Sequence, residues 1–188
     1  TPAMNPNAAS WVDAGDLVVM PGLIDTHVHV NEPGRTEWEG FQTATRAAAA
    51  GGITTITDMP LNSIPATTTL GALQIKLSAA KGNASVDYGL WGGVVPGNVE
   101  QLSSMIDAGV MGFKAFLIDS GVEEFPMVTE SDLREAMPIL ARAGVPLLVH
   151  AELQAAPSGH SSLQASTHPR SYQGYLDSRP RQWEVDAI

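Results

Sequence analysis

Five apolar runs recur along this chain at a nearly constant interval, and that rhythm constrains the fold more than any single motif. The runs are Leu23–Val30, Ile53–Met59, Asp87–Val95, Gly112–Ile118 and Val145–Ala151, with starts about 25 to 34 residues apart. One strand, one helix and their two turns fill that interval. Most of the runs are apolar throughout rather than alternating, as parallel strands covered on both faces are. The intervening segments carry helix punctuation. Thr36–Ala50 places Trp38, Phe41 and Ala48 on one side and stops at Gly51-Gly52. Thr67–Lys81 stops at Gly82. Asn98, with Gln101 three residues on, reads as an N-cap, and Gly109 follows that helix. Thr129-Glu-Ser-Asp132 opens a helix that closes at Gly144, and another begins near Ser178-Arg-Pro180 and runs to Ile188.

Repeating βα units build either a doubly wound open sheet or a (β/α)8 barrel. No Gly-x-Gly-x-x-Gly follows the first run, and no Walker sequence occurs. Polar residues gather instead at the C-terminal ends of several runs: His27 and His29, Asp58, Lys114, then His150 and Glu152. Chemistry shared among many strand ends is the habit of the barrel. The expected fold is therefore α/β, a partial (β/α)8 TIM barrel with about five of its eight strands, since a whole barrel takes about 250 residues. Residues 21–188 would form this barrel part, and residues 1–20 a remnant of a small β-domain, with Gly15–Met20 as one strand.

Composition narrows the partners. The formal net charge of the 188 residues is −10, which opposes nucleic acid and acidic membrane surfaces, because both need clustered cations. No cysteine is present, so disulfides and thiolate ligands are excluded, and a cytoplasmic setting fits. No run has the apolar length of a membrane span. The chain opens on Thr1 without a signal-peptide pattern, which reads as a processed product or part of a longer gene.

The candidate chemistry begins with Asp25-Thr-His27-Val-His29. On a strand, alternate side chains share a face, so the two imidazoles lie side by side with Asp25. Two such imidazoles are half of a metal site, or else a hydrogen-bonded polar patch. Lys114 interrupts the apolar run Gly112–Ile118. A buried ammonium needs a partner or a lowered pKa. It pairs with a carboxylate such as Asp58 or Glu152, or its neutral amine takes up carbon dioxide and becomes an anionic carbamate able to bridge two metal ions. His150 arrives in phase at the end of the fifth run. Asn62 is a substrate hydrogen-bonding residue or a turn residue before Pro65. Arg35 contacts substrate or belongs to turn chemistry with Gly34. Asp25 orients a ligand rather than binding metal. His160 and His168 fall in a polar stretch and read as loop histidines.

Pro21-Gly-Leu-Ile-Asp-Thr-His27-Val-His29, the strand lysine Lys114 and Val149-His150-Ala-Glu152 together resemble the metal-dependent cyclic amidohydrolases, the family of dihydroorotases, hydantoinases and allantoinases. The resemblance covers roughly Leu17 to Ile188. Asn31–Phe41, Asp58–Pro65 and Asp119–Pro126 look most like the allantoinase branch. Dihydroorotases usually carry Arg where this chain has Asn31. The resemblance implies hydrolysis of a cyclic amide, allantoin to allantoate. Hydantoinase (dihydropyrimidinase) activity is the alternative, and dihydroorotase a more distant one. It also implies two divalent metal ions, commonly zinc. His27, His29 and a carboxylated Lys114 would hold one; the second would share Lys114 and take His150. A further histidine from strand six and the catalytic aspartate from strand eight would lie beyond the end of this chain. Family members are homo-oligomers. A competing expectation is a truncated, non-catalytic interaction subunit whose open sheet edges favour association.

Overall fold

The computed structural model describes residues 12–153 and 170–188. Its elements alternate: β1 (Leu23–Val28), α1 (Phe41–Ala50), β2 (Ile53–Asp58), α2 (Leu70–Ala80), β3 (Asp87–Leu90), β4 (Gly92–Gly93), α3 (Val99–Asp107), β5 (Phe113–Phe116), α4 (Glu130–Ala143), β6 (Leu147–His150), α5 (Tyr172–Asp177) and α6 (Gln182–Asp186). Every strand pair is parallel, in the orders β1-β2-β3 and β4-β5-β6. Strands therefore neighbour one another in sequence order. A doubly wound sheet reverses that order at a switch point, whereas a barrel keeps it. The arrangement is part of a (β/α) barrel, as the strand rhythm and the polar strand ends together predict.

The third apolar run, Asp87–Val95, is two strands rather than one. Trp91 interrupts it: its backbone N–H donates to the Asp58 carbonyl at 2.9 Å, while Gly92 N–H turns to Gly112 at 2.9 Å. The Trp91 indole is 7 % exposed and donates to the Thr26 carbonyl at 2.9 Å, so the break is filled rather than open. The other strands lie within the runs read from sequence, trimmed by one or more residues at their ends.

Two apolar clusters hold the layers. The larger lies between strands and helices, with Phe41, Ile56, Leu73, Leu102 and Phe113 all but inaccessible. Burying each such side chain contributes about 1.5–3 kcal/mol. The smaller joins Met59, Leu61, Ala66, Trp91 and Phe125, residues on segments that follow the strands. Gly93 is required beside it, since a Cβ there would sit 2.4 Å from Phe125 Cε2.

Helix boundaries follow local chemistry. At α4, Thr129 accepts from Asp132 N–H, and Asp132 Oδ2 accepts from Thr129 N–H at 2.8 Å, a reciprocal cap ended by Gly144 in the left-handed region (φ 68°). At α3 the expected capping box does not form. Asn98 instead accepts from Val95 N–H at 3.1 Å and donates to the Thr68 and Gly93 carbonyls. Gln101 accepts from Leu70 N–H at 3.2 Å. Both side chains knit strand ends to α2 because those buried backbone groups need partners more than a solvated helix end does. The helix expected from Thr36 starts at Phe41. Trp38 is 62 % exposed on the preceding turn, and Glu32 Oε2 accepts from Phe41 N–H at 2.9 Å.

No strand forms over Gly15–Met20. A turn occupies Gly15 and Asp16, and Leu17, Val18 and Val19 are exposed without a pairing strand among the described residues. α5 precedes the helix expected near Ser178, which forms as α6 over Gln182–Asp186. His160 and His168 fall outside the described residues.

Candidate metal centre

His27 sits in β1 and His29 one residue past its end, with ring centroids 5.5 Å apart. The strand alternation brings them together as the sequence predicts. Asp25 turns back on its own strand, where Oδ1 accepts from His27 N–H at 3.0 Å. It fixes the backbone of a candidate ligand and touches neither ring by hydrogen bond.

The segment just after His29 is clamped by a buried ion pair. Asp58, the last residue of β2, accepts from Val30 N–H through Oδ1 at 2.6 Å. Lys76 of α2 lies 2.9 Å from Asp58 Oδ2 and donates to the Val30 carbonyl. Both Val30 backbone groups thus end on the pair, and the exit of β1 cannot rotate without breaking it. Burial pushes Asp58 up to about 6 against the pull of Lys76, and burial pulls Lys76 down. Asp58 was expected as a partner for Lys114; Lys76 takes it instead. The sequence carried a signal for this. Leu73, Lys76 and Ala80 are spaced i, i+3, i+7, so Lys76 occupies the apolar stripe of its helix.

Lys114 lies in β5, 6 % exposed, with no carboxylate at ion-pair distance among the described residues. Its Nζ stands over the Phe116 ring, 4.9 Å from the centroid. Burial lowers its pKa. The ion-pair reading of Lys114 is thereby removed: Glu152, the other candidate, is occupied by His150 and Arg179 at 2.9 and 2.8 Å. Lys114 also acts on His29, whose pKa is lowered first by burial, then by His27, Lys114 and Lys76. His29 is held as neutral imidazole, the form that binds metal.

Asn62 Nδ2 lies 3.3 Å from His29 Nδ1. Asn62 adopts a left-handed backbone, φ 76°, which Asn tolerates better than most residues. Arg35 donates to the Asn62 carbonyl at 2.9 Å and pairs with Glu124. The hydrogen bond to Glu124 raises Arg35's pKa, and that to Arg35 lowers Glu124's. Asn31 is buried; its N–H donates to Glu39 and its carbonyl accepts from Arg35 N–H. It holds the loop after β1.

His150 ends β6, stacked on Phe116 with centroids 4.8 Å apart. Its Nε2–H donates to Glu152 Oε1 at 2.9 Å, which lowers the Glu152 pKa. His150 therefore shares Phe116 with Lys114 but faces a carboxylate. Among the described residues no three His, Asp or Glu side chains converge on one point. His27 and His29 lie side by side, and the charge of Lys114 reaches His29.

A sequence model of the amidohydrolase family matches residues 18–177. The chain is 54 % identical over 186 residues to the mitochondrial allantoinase of Aquarana catesbeiana, covering 97 % of this chain and 37 % of that protein. It is 54 % identical over 187 residues to the allantoinase of Streptomyces avermitilis, covering 97 % and 40 %. For the allantoinase of Saccharomyces cerevisiae the values are 50 % over 171 residues, 90 % and 36 %. The chain thus spans well under half the length of these relatives. Among solved structures, the L-hydantoinase (dihydropyrimidinase) of Arthrobacter aurescens superposes with a TM-score of 0.81 at 34 % identity, over 89 % of this chain and 37 % of that one.

Proposed function

The chain belongs to the amidohydrolase family, and on that premise we propose that it supplies the first metal ligands of an enzyme that opens the ring of allantoin to give allantoate. The observation that carries the reading is Lys114: a buried lysine without a carboxylate partner among the described residues, whose charge reaches His29. The donor set fits a divalent metal. Two imidazoles lie side by side, and a lysine with a lowered pKa can supply the missing anion. The neutral amine would form an N–C bond to carbon dioxide and release one proton, leaving a carbamate with two oxygens.

His27, His29 and carboxylated Lys114 would hold one ion; Lys114 and His150 would share in holding a second, zinc in both places. Bound there, divalent zinc polarises a ring carbonyl and makes a nucleophile of water at neutral pH. The residues of this chain set the stage for that chemistry. The Asp58–Lys76 clamp holds the strand exit from which His29 projects. Asn62 would fix the His29 ring at Nδ1 with its amide turned so that Oδ1 accepts from Nδ1–H, and Asp25 fixes the His27 backbone. Asn62 would also hydrogen-bond the ureide group of the substrate. His150 would have to offer Nδ1 or release Glu152 to join. Residues 1–20 would belong to a small β-domain and residues 21–188 to the barrel, and the assembled enzyme would be a homo-oligomer in the cytoplasm. No helix among the described residues is long and apolar enough to cross a membrane.

The allantoin assignment rests on relatives near 50 % identity that bear that name, with Asn31 in place of the arginine usual in dihydroorotases. The test is steady-state hydrolysis of allantoin, hydantoin, dihydrouracil and dihydroorotate by the protein that carries this chain, loaded with zinc and bicarbonate. Allantoin is expected to be turned over fastest. A higher kcat/KM for any of the other three overturns the substrate assignment.

A further inference from the structure

We propose that Arg35 and Glu124 form a strap that holds Asn62 against His29, making both of them positioning residues for the candidate metal centre. The inference rests on the reading of His29 as a ligand and adds to it the device that orients the ring. Three loops meet at Arg35, which sits between β1 and α1. Through one nitrogen, Nη1, it reaches the Asn62 carbonyl after β2 and the Glu124 carboxylate after β5. Each anchor is itself fixed. The guanidinium lies 5.0 Å from the centre of the Trp38 ring, on its own loop. Ile64 N–H donates to the Pro33 carbonyl at 2.8 Å, a second stitch between the first two loops. Glu124 precedes Phe125, which is wholly buried against Met59, Leu61 and Trp91.

The strap ends on Asn62, whose left-handed backbone is unfavourable for a residue with a Cβ and persists where the surroundings hold it. Arg35 holds the carbonyl of that residue, and the same residue's side chain stands 3.3 Å from His29 Nδ1. A histidine that binds metal through Nε2 donates its Nδ1–H to a partner. Asn62 serves as that partner with its amide turned so that Oδ1 accepts from Nδ1–H. Loss of such partners typically costs 10- to 100-fold in affinity or activity. The alternative is that Arg35 grips substrate directly, and the two make different predictions.

The experiment compares Arg35→Gln, Arg35→Lys and Glu124→Gln in the protein that carries this chain. With zinc bound, kcat for allantoin should fall about 10- to 100-fold in Arg35→Gln, with little change in KM. Arg35→Lys should recover part of it. Combining Arg35→Gln with Glu124→Gln should cost little more than Arg35→Gln alone. In the metal-free protein, the Asn62 13Cα and 13Cβ shifts should move away from left-handed values in Arg35→Gln. Glu124→Gln, which leaves the bond to Asn62 in place, serves if Arg35→Gln fails to fold and should move those shifts in the same direction by less. A rise in KM alone, or Asn62 shifts unchanged in both variants, overturns the strap. If the unaltered protein opens no cyclic amide, the functional reading fails, and the Asn62 shifts still decide whether the strap exists.

Discussion

Lys76 and Asp58 form an ion pair with Nζ 2.9 Å from Oδ2, and both side chains are excluded from solvent. The pair does not stand alone: it receives Val30 N–H and supplies a donor to the Val30 carbonyl, one residue past His29. A buried pair is poor evidence of net stability, since desolving two ions offsets their attraction. Its value here is geometric. It ties α2 and β2 to the point where β1 releases its second histidine.

Removing one partner should therefore be far worse than removing both. Lys76→Met leaves a buried carboxylate and an unpaired carbonyl, and is expected to destabilise by about 3–5 kcal/mol. Combining Lys76→Met with Asp58→Asn should recover a large part of that loss. Urea unfolding of the two variants beside the unaltered protein measures this. Equal or greater loss in the double variant would mean that the pair is net stabilising.

The same pair sets a pH signature. Asp58 is raised from an ordinary 3.8 to about 6, burial being the leading cause. The folded state holds that proton more tightly than the unfolded state, so its contribution is fully present below about 4 and is lost as pH rises through about 6. Lys76 is lowered, so its contribution runs the other way, present above 10.5 and lost as pH falls through its folded value. The unfolding free energy of the unaltered protein minus that of the Asp58→Asn, Lys76→Met double variant should fall between pH 4 and 6. A difference that rises over that range contradicts the burial argument.

Gly93 offers a test of packing beneath the site. A Cβ there would meet Phe125 Cε2 at 2.4 Å and Thr68 Cγ2 at 2.9 Å. Gly93→Ala should overpack this corner and cost about 1–3 kcal/mol. A shift of the urea midpoint with an unchanged slope is the expected result.

Much of this was legible before any coordinates. Most of the five runs are continuously apolar, which marks parallel strands. β5 and the end of β2 are covered as that pattern implies, whereas β1 is exposed or half-exposed along its length. His27 with His29 follow from strand geometry alone. Trp91 hid the break between β3 and β4, since an aromatic residue inside an apolar run looks like more strand. Asn98 and Gln101 sat where a capping box belongs, yet buried carbonyls and N–H groups of neighbouring elements claimed them. Lys76 went unread, although its spacing from Leu73 and Ala80 puts a charge on the buried stripe of its helix. Arg35 with Glu124 was not, because residues 89 positions apart meet only through the fold.

Lys114 decides whether the candidate centre works as proposed. It is a strand lysine, 6 % exposed, whose pKa burial lowers, next in register to Gly93. If its task were to supply a buried positive charge, Lys114→Arg should keep metal content and turnover. If its task is to become a carbamate, Arg fails as completely as Ala, because guanidinium stays protonated and cannot add carbon dioxide. The expected outcome is that both variants lose bound zinc and fall at least about 10³-fold in allantoin hydrolysis, a loss on the scale of a removed catalytic donor. The unaltered protein, equilibrated with 13C-bicarbonate, should show a carbamate carbon resonance that both variants lack. Circular dichroism of the two variants separates this outcome from misfolding. Retained zinc and turnover in Lys114→Arg would reduce Lys114 to a structural cation and leave His27 and His29 without their anionic partner.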